Sequence, residues 1–129
     1  MKMVFDSDIL IWWLRGHQTI VPEIKKLLPI CPLYTTPISV AEIWAGVRSG
    51  EEKQVEFCFS LLHILEINHA IGKEAGNFLK IYKKSHNVEI ADALIASSAI
   101  YYRINLWTLN RKHYPMLSGE YFFSAEDNK

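Results

Sequence analysis

Carboxylates and amides recur in this chain where a helix is about to begin. Asp6 and Asp8 follow the apolar run Met3-Val4-Phe5, and Glu42 follows the turn Thr35-Thr36-Pro37-Ile38-Ser39. Asp92 lies in the first turn of a helix that starts near Glu89, and Asn110 follows Leu106-Trp107-Thr108. In a parallel α/β sheet the carboxyl ends of the strands open on one side, and that crevice is where such folds bind ligands. Acids spread along the chain would meet there. Crowded carboxylates raise one another's pKa until some neutralise. A divalent cation removes the conflict, and hard oxygen donors suit Mg2+ or Mn2+. The chemistry expected is that of a metal site, with Glu89 placed on the same helix face as Asp92.

Each position also has an ordinary structural explanation. Asp6 or Asp8 can cap the helix that follows. Ser39-x-x-Glu42 matches a capping box, in which the Glu42 side chain reaches back to the Ser39 amide. Glu89 and Asp92 can complement a helix dipole as first-turn acids, and Asn110 is a good N-cap. The functional reading rests on their joint occurrence at successive junctions.

The elements that must position these residues alternate. Strands are predicted over residues 2–5, 32–35, 63–67 and 105–108, with an edge strand over 121–123. Helices are predicted after Asp8 through Leu14, then over 22–28, 39–47, 51–62, 70–84 and 89–102, with a short one after Asn110. The helix carrying Ile9 to Leu14, with two tryptophans, is too apolar for a surface helix and is expected to be buried or covered by another chain. In the later helices Val40, Ile43, Trp44 and Val47 fall at helical spacing, Ile71, Ala75, Phe78 and Tyr82 are expected to face inward, and Ile90, Ala93, Leu94, Ala96 and Ile100 form a set rich in small residues that allows close packing. The pattern predicts an α/β fold in three layers, a central, mainly parallel β-sheet flanked by helices. A single unit over residues 1–129 is expected, with 124–129 a frayed polar tail.

Composition narrows the functions. With 129 residues, half of them hydrophobic, the chain can build one core. Asp6 and Asp8 interrupt the first apolar run, so no signal peptide is expected. No apolar stretch approaches the ~18 residues of a membrane span. A cytoplasmic protein is expected. Cys31 and Cys58 have no CxxC spacing and read as small buried residues, and the five histidines form no zinc-hydrolase pattern. Net charge is zero, with 14 basic and 14 acidic residues. That argues against a stable DNA-binding module but not against a nuclease that holds its substrate briefly. Lys80, Lys83, Lys84 and His86 precede the Asp92 helix, and Arg111, Lys112 and His113 follow Asn110. Any of these can meet phosphate, or simply be solvated.

Four segments in order resemble the PIN domain, and within it the VapC-type toxins of toxin–antitoxin pairs. They are Val4-Phe5-Asp6-Ser7-Asp8-Ile9-Leu10-Ile11, Ile38-Ser39-Val40-Ala41-Glu42-Ile43, Ile90-Ala91-Asp92-Ala93-Leu94-Ile95-Ala96 and Thr108-Leu109-Asn110-Arg111-Lys112-His113-Tyr114. The resemblance covers nearly the whole chain. It implies that Asp6, Glu42 and Asp92 are the metal-binding and catalytic acids, joined by Asn110 where the family has Asp or, often in the toxins, Asn. Asp8 stands where the family commonly has Asn, and with Glu89 it can partly restore the charge Asn110 lacks. Ser39 and Thr108 match polar positions that orient the acids. Arg111, Lys112, Lys83 and Lys84 are candidate RNA contacts.

The resemblance further implies a Mg2+-dependent (or Mn2+-dependent) endoribonuclease acting on tRNA or rRNA. It implies a small VapB-type antitoxin that fills the acidic pocket, a homodimer, and DNA contacted only indirectly, through the antitoxin. Partner surfaces are sought among Trp12, Trp13, Trp44, Phe57, Phe59, Tyr101 and Tyr102. The chemistry requires no Ser, His or Cys nucleophile, and none is evident in the sequence. Two other readings remain. One is a PIN-like module that binds without cutting. The other is a haloacid-dehalogenase-type phosphatase using Asp6 and Asp8, which leaves Glu42 without a role.

Overall fold

A computed structural model of the chain describes residues 2–124. Of the tail predicted at 124–129, all but Ser124 lies outside the described residues. Four short strands, Met3–Phe5 (β1), Leu33–Thr35 (β2), His63–Ile64 (β3) and Asn105–Trp107 (β4), form a parallel sheet in the order β3-β2-β1-β4. Parallel neighbours cannot be joined by hairpins. The chain crosses over through Ser7–Leu14 (α1), Ile20–Leu27 (α2), Pro37–Ala45 (α3), Glu52–Ser60 (α4), His69–His86 (α5) and Ile90–Tyr102 (α6).

Alternation along β1 divides the core. Met3 and Phe5 point to one face and pack with Ile9, Leu10, Ile24 and Val55, from α1, α2 and α4. Val4 points to the other, toward Ala75, Phe78, Ala96 and Ala99 of α5 and α6. Both faces are covered, which is why β1 reads as an unbroken apolar run. Small residues on α6 let α5 lie close, and the buried Ser97 hydroxyl finds its partner across that contact, donating to the Ile71 carbonyl at 2.8 Å.

Strand order also locates the functional edge. From β1 the chain moves to β2 and β3, then crosses back to β4 on the opposite side of β1. The loops leaving β1 and β4 therefore diverge, opening a crevice at their carboxyl ends. α6 leads directly into β4, so its N-terminus, with Asp92, lies at the same edge.

Several predicted boundaries move. α2 begins at Ile20, with Pro22 inside the first turn, where a missing N–H costs nothing. α3 begins at Pro37 because Thr36, not Ser39, is the N-cap: its side chain accepts from Ser39 N at 3.3 Å. The strand expected at 63–67 pairs only over His63–Ile64; Leu65 N adds a bond to Thr35 O before Asn68 caps α5. The edge strand expected at 121–123 shrinks to a single bridge between Leu106 and Phe122, because a 3-10 turn, Gly119–Tyr121, takes up the preceding residues. Ile90 is 64% exposed, since it opens α6 at the rim, and Ile95 fills the core in its place. On α1, Ile9 and Leu10 are buried, but Ile11 and Trp12 remain on the surface. No helix among the described residues is long and apolar enough to cross a membrane.

Candidate active site

At the carboxyl edge a pocket of about 280 Å³ collects the side chains that the sequence spaced apart. Asp6, Asp8, Glu42, Glu89, Asp92 and Asn110 all line it. Asp6 immediately follows β1 and caps α1, with its Oδ1 accepting from Ser7 N at 2.8 Å. Its Oδ2 accepts from the Thr108 hydroxyl at 2.8 Å and from the Tyr114 hydroxyl at 2.8 Å. The Thr108 hydroxyl also lies 3.3 Å from Asp8 Oδ2; carrying one proton, it gives that proton to the nearer Asp6 and accepts from Asn110 N at 3.0 Å. Thr108 thus ties the two diverging loops together.

Asp8 is the second residue of α1. Its Oδ2 accepts from Leu109 N at 2.8 Å and from Asn110 Nδ2 at 3.3 Å. Its Oδ1 is buried with no hydrogen-bond partner. Burial, and then the charge of Asp6, push the Asp8 carboxyl above the ordinary value of 3.8. Asp92 is also pushed up, mainly by burial, while the amide of Glu89 and the nearby His113 act in the opposite sense. Asp92 Oδ2 accepts from Glu89 N at 3.3 Å within a complete capping box, so the helix-capping reading of this pair is realised in the structure.

The capping box expected between Ser39 and Glu42 is not formed. Ser39 occupies the third position of α3, and Glu42 instead accepts from the Ser7 hydroxyl at 2.7 Å. Ser7 is also 2.9 Å from the Ser39 hydroxyl. Because Glu42 can only accept, the proton order is Ser39 to Ser7 to Glu42. Ser39 is fully buried and anchors this chain of bonds. Removing the link in Ser7→Ala leaves Glu42 free to swing into solvent; the expected cost is about tenfold in RNA cleavage, read as initial rate beside wild type.

The candidate RNA contacts separate. Among the described residues that line the pocket there is none of Lys83, Lys84, Arg111 or Lys112. Lys83 and Lys84 lie in the last turn of α5, where they complement its dipole. Arg111 turns toward the last bridge, with its guanidinium carbon 4.8 Å from the Phe122 ring centre and Nη2 donating to Phe123 O at 3.4 Å. Arg111→Ala is therefore expected to lower stability by about 1 kcal/mol, seen as a small fall in melting temperature, and to change RNA affinity less than twofold.

Sequence reasoning did not single out Ser7, Asn87 or Tyr114 for the site, and His113 only as one base among several. Asn87 and His113 line the pocket. Asn87 carries the left-handed φ of 52° that ends α5, a conformation for which Asn is the favoured residue after Gly. Of the aromatic residues considered for partner surfaces, Trp12, Phe57 and Tyr101 are exposed. Trp13, Trp44 and Phe59 pack against the core, and Tyr102 donates to Glu66 O at 2.6 Å.

The donor set fits a small hard cation, being oxygen-rich with a buried oxygen of Asp8 left unpartnered. Among the described residues, no three His, Cys, Asp or Glu side chains converge closely enough to hold an ion as they stand. Glu42 is drawn toward Ser7 and Asp92 toward Glu89, so closure around an ion requires these side chains to turn.

Fold and pocket define an α/β protein with an acidic crevice at its topological switch point. The PIN-domain family model matches residues 3–115, and the chain belongs to that family. Its relatives include ribonuclease VapC10 of Mycobacterium tuberculosis, 31% identical over 115 residues that cover 88% of this chain and 86% of the relative. Ribonuclease VapC19 of the same organism is 34% identical over 118 residues, 90% of this chain and 94% of that one. Among solved structures, VapBC2 from Rickettsia felis bound to a promoter DNA fragment superposes with a TM-score of 0.74 at 21% identity, covering 91% of this chain and 93% of that one. A toxin–antitoxin complex from Klebsiella pneumoniae gives 0.73 at 21% identity, covering 95% and 97%.

Proposed function

We propose that this chain is a Mg2+-dependent (or Mn2+-dependent) endoribonuclease and the toxin of a toxin–antitoxin pair. The observation that carries the reading is the acidic pocket at the switch point, where Asp6, Asp8, Glu42, Glu89 and Asp92 gather from separate junctions of the chain. Curated relatives named ribonucleases support the reaction, and neighbours that are toxin–antitoxin complexes support the partner. On this reading the whole of residues 1–129 acts as one unit in the cytoplasm and as a homodimer. A VapB-type antitoxin covers the pocket, DNA is reached only through that antitoxin, and tRNA or rRNA is the substrate.

Asp6, Glu42 and Asp92 would hold the ion, with Asp8 and Glu89 adding charge and Asn110 orienting Asp8. When bound, a divalent cation supplies an activated water and compensates the charge that grows on phosphate during hydrolysis. The chain's own residues do the rest. Thr108 holds Asp6, and Ser39 with Ser7 holds Glu42. The partly buried carboxylates repel an incoming phosphate until the cation is present, which makes RNA binding and ion binding cooperative.

A second reading, a PIN-like module that binds without cutting, is favoured by one observation: the carboxylates do not close on a common point. One assay separates the two. Purified protein, freed of any small partner, is incubated with labelled total RNA in Mg2+ or Mn2+ and in EDTA, with Asp92→Asn alongside. Discrete fragments that need metal and vanish in the variant establish the nuclease. Intact RNA from folded, metal-loaded protein establishes the binding module.

A further inference from the structure

Tyr114 is the largest of the fully buried side chains among the described residues. Its ring packs in the cluster that holds Val4, Leu106 and Leu117, edge-on to Phe122 at 6.5 Å. A phenol in such a place costs free energy unless its hydroxyl is bonded. Phenylalanine would fill the same space without that cost. The hydroxyl's partner is Asp6 Oδ2, at 2.8 Å. As a neutral phenol, Tyr114 donates its one proton to that oxygen.

Acceptor sites on Asp6 are limited. A carboxylate offers about four. Oδ2 takes the hydroxyls of Thr108 and Tyr114, and Oδ1 takes Ser7 N. With Oδ2 fully engaged, the remaining lone pair lies on Oδ1. We infer that Tyr114 is a positioning residue: with Thr108 it saturates Oδ2, fixes the carboxylate plane and leaves Asp6 to meet a divalent cation through Oδ1 alone. Without the Tyr114 hydroxyl, Oδ2 keeps only Thr108 and has a lone pair free, so the carboxylate, held by Thr108 and Ser7 N alone, is less firmly oriented.

This inference rests on the metal-site reading above, and its test keeps the two apart. Mn2+ is titrated calorimetrically into wild type, Tyr114→Phe and Asp6→Asn, each freed of small partners, with melting temperatures recorded without metal. The phenyl ring preserves packing, so Tyr114→Phe is expected to fold and to bind Mn2+ about 10-fold more weakly than wild type. Its cleavage should fall in kcat with KM unchanged, a split that lost packing alone does not produce. Should that variant fail to fold, Thr108→Val, which strips the other Oδ2 donor, reads the same saturation. Wild-type Mn2+ affinity in Tyr114→Phe overturns the inference. Absence of Mn2+ binding by wild type overturns the metal reading itself, and this inference with it.

Discussion

Asp6→Asn should lower RNA cleavage by more than 100-fold while leaving the fold intact. The two halves of that statement have separate physical causes. As a helix cap, Asn is as good as Asp, so the bond from Ser7 N to the position-6 side chain survives. The Thr108 hydroxyl can accept from the new amide and turn its proton to Asp8 Oδ2, 3.3 Å away, while the Tyr114 hydroxyl loses its acceptor, a cost of about 1 kcal/mol that lowers the melting temperature without unfolding the chain. What is lost is one negative charge in the acidic pocket, and with it much of the attraction that position 6 exerts on a cation. Changes to residues that merely orient a metal ligand typically cost 10- to 100-fold, and removing the charge of the ligand itself should exceed that. Cleavage rate and thermal melting, measured together on purified variant and wild type, check it. Residual cleavage within tenfold of wild type would reduce Asp6 to a cap.

The second large effect concerns stability, pH and metal. Burial raises the Asp8 and Asp92 carboxyls above their ordinary value. Between the unfolded and folded pKa values the native state then binds more protons than the unfolded chain, so stability falls as pH rises through that interval. The metal-free protein should therefore melt at a higher temperature at the acid end, near the ordinary carboxylate pKa, than above the raised values. Asp8→Asn, which removes a buried charge with an unpartnered oxygen, should melt no lower than wild type at neutral pH without metal. A cation reverses the penalty. At 100 times its Kd it adds about 2.7 kcal/mol, roughly 10 °C for a chain of this size. The gain should shrink at acid pH, where the carboxyls must first release protons, and shrink again in Asp8→Asn. Scanning calorimetry across pH with and without Mn2+ tests both signs. A metal-free melting temperature that climbs with pH through the carboxylate range would contradict the account.

Much of this architecture is legible in the sequence for local reasons. Met3-Val4-Phe5 and Leu106-Trp107 are short apolar runs because helices cover both faces of the sheet. The helix following Glu89 announces itself by its small residues, and α5 by the spacing of Ile71, Ala75 and Phe78. The gathering of Asp6, Glu42, Asp92 and Asn110 follows from a parallel sheet alone. The missing parts depend on contacts between distant segments. No local pattern tells that the Ser7 hydroxyl will meet Glu42 rather than its own helix. Nor does any local pattern tell that Tyr114, set among Pro115, Met116 and Leu117, carries its hydroxyl into the core to reach Asp6. Arg111 reads as a phosphate contact beside Asn110, yet the bridge at Phe122 gives its guanidinium a nearer partner. Thr36 took the cap predicted for Ser39 because Pro37 is best placed at the first position of a helix.

The central claim is that acids from separate junctions form one divalent-cation site. The most direct measurement is anomalous diffraction from crystals of the partner-free protein soaked in Mn2+. The account predicts a single strong peak within the pocket, in ligand contact with Asp6 and with at least one of Glu42, Asp92 or Asp8. Density only outside the pocket, or none at a Mn2+ concentration that raises the melting temperature, would show that these carboxylates are not the metal site.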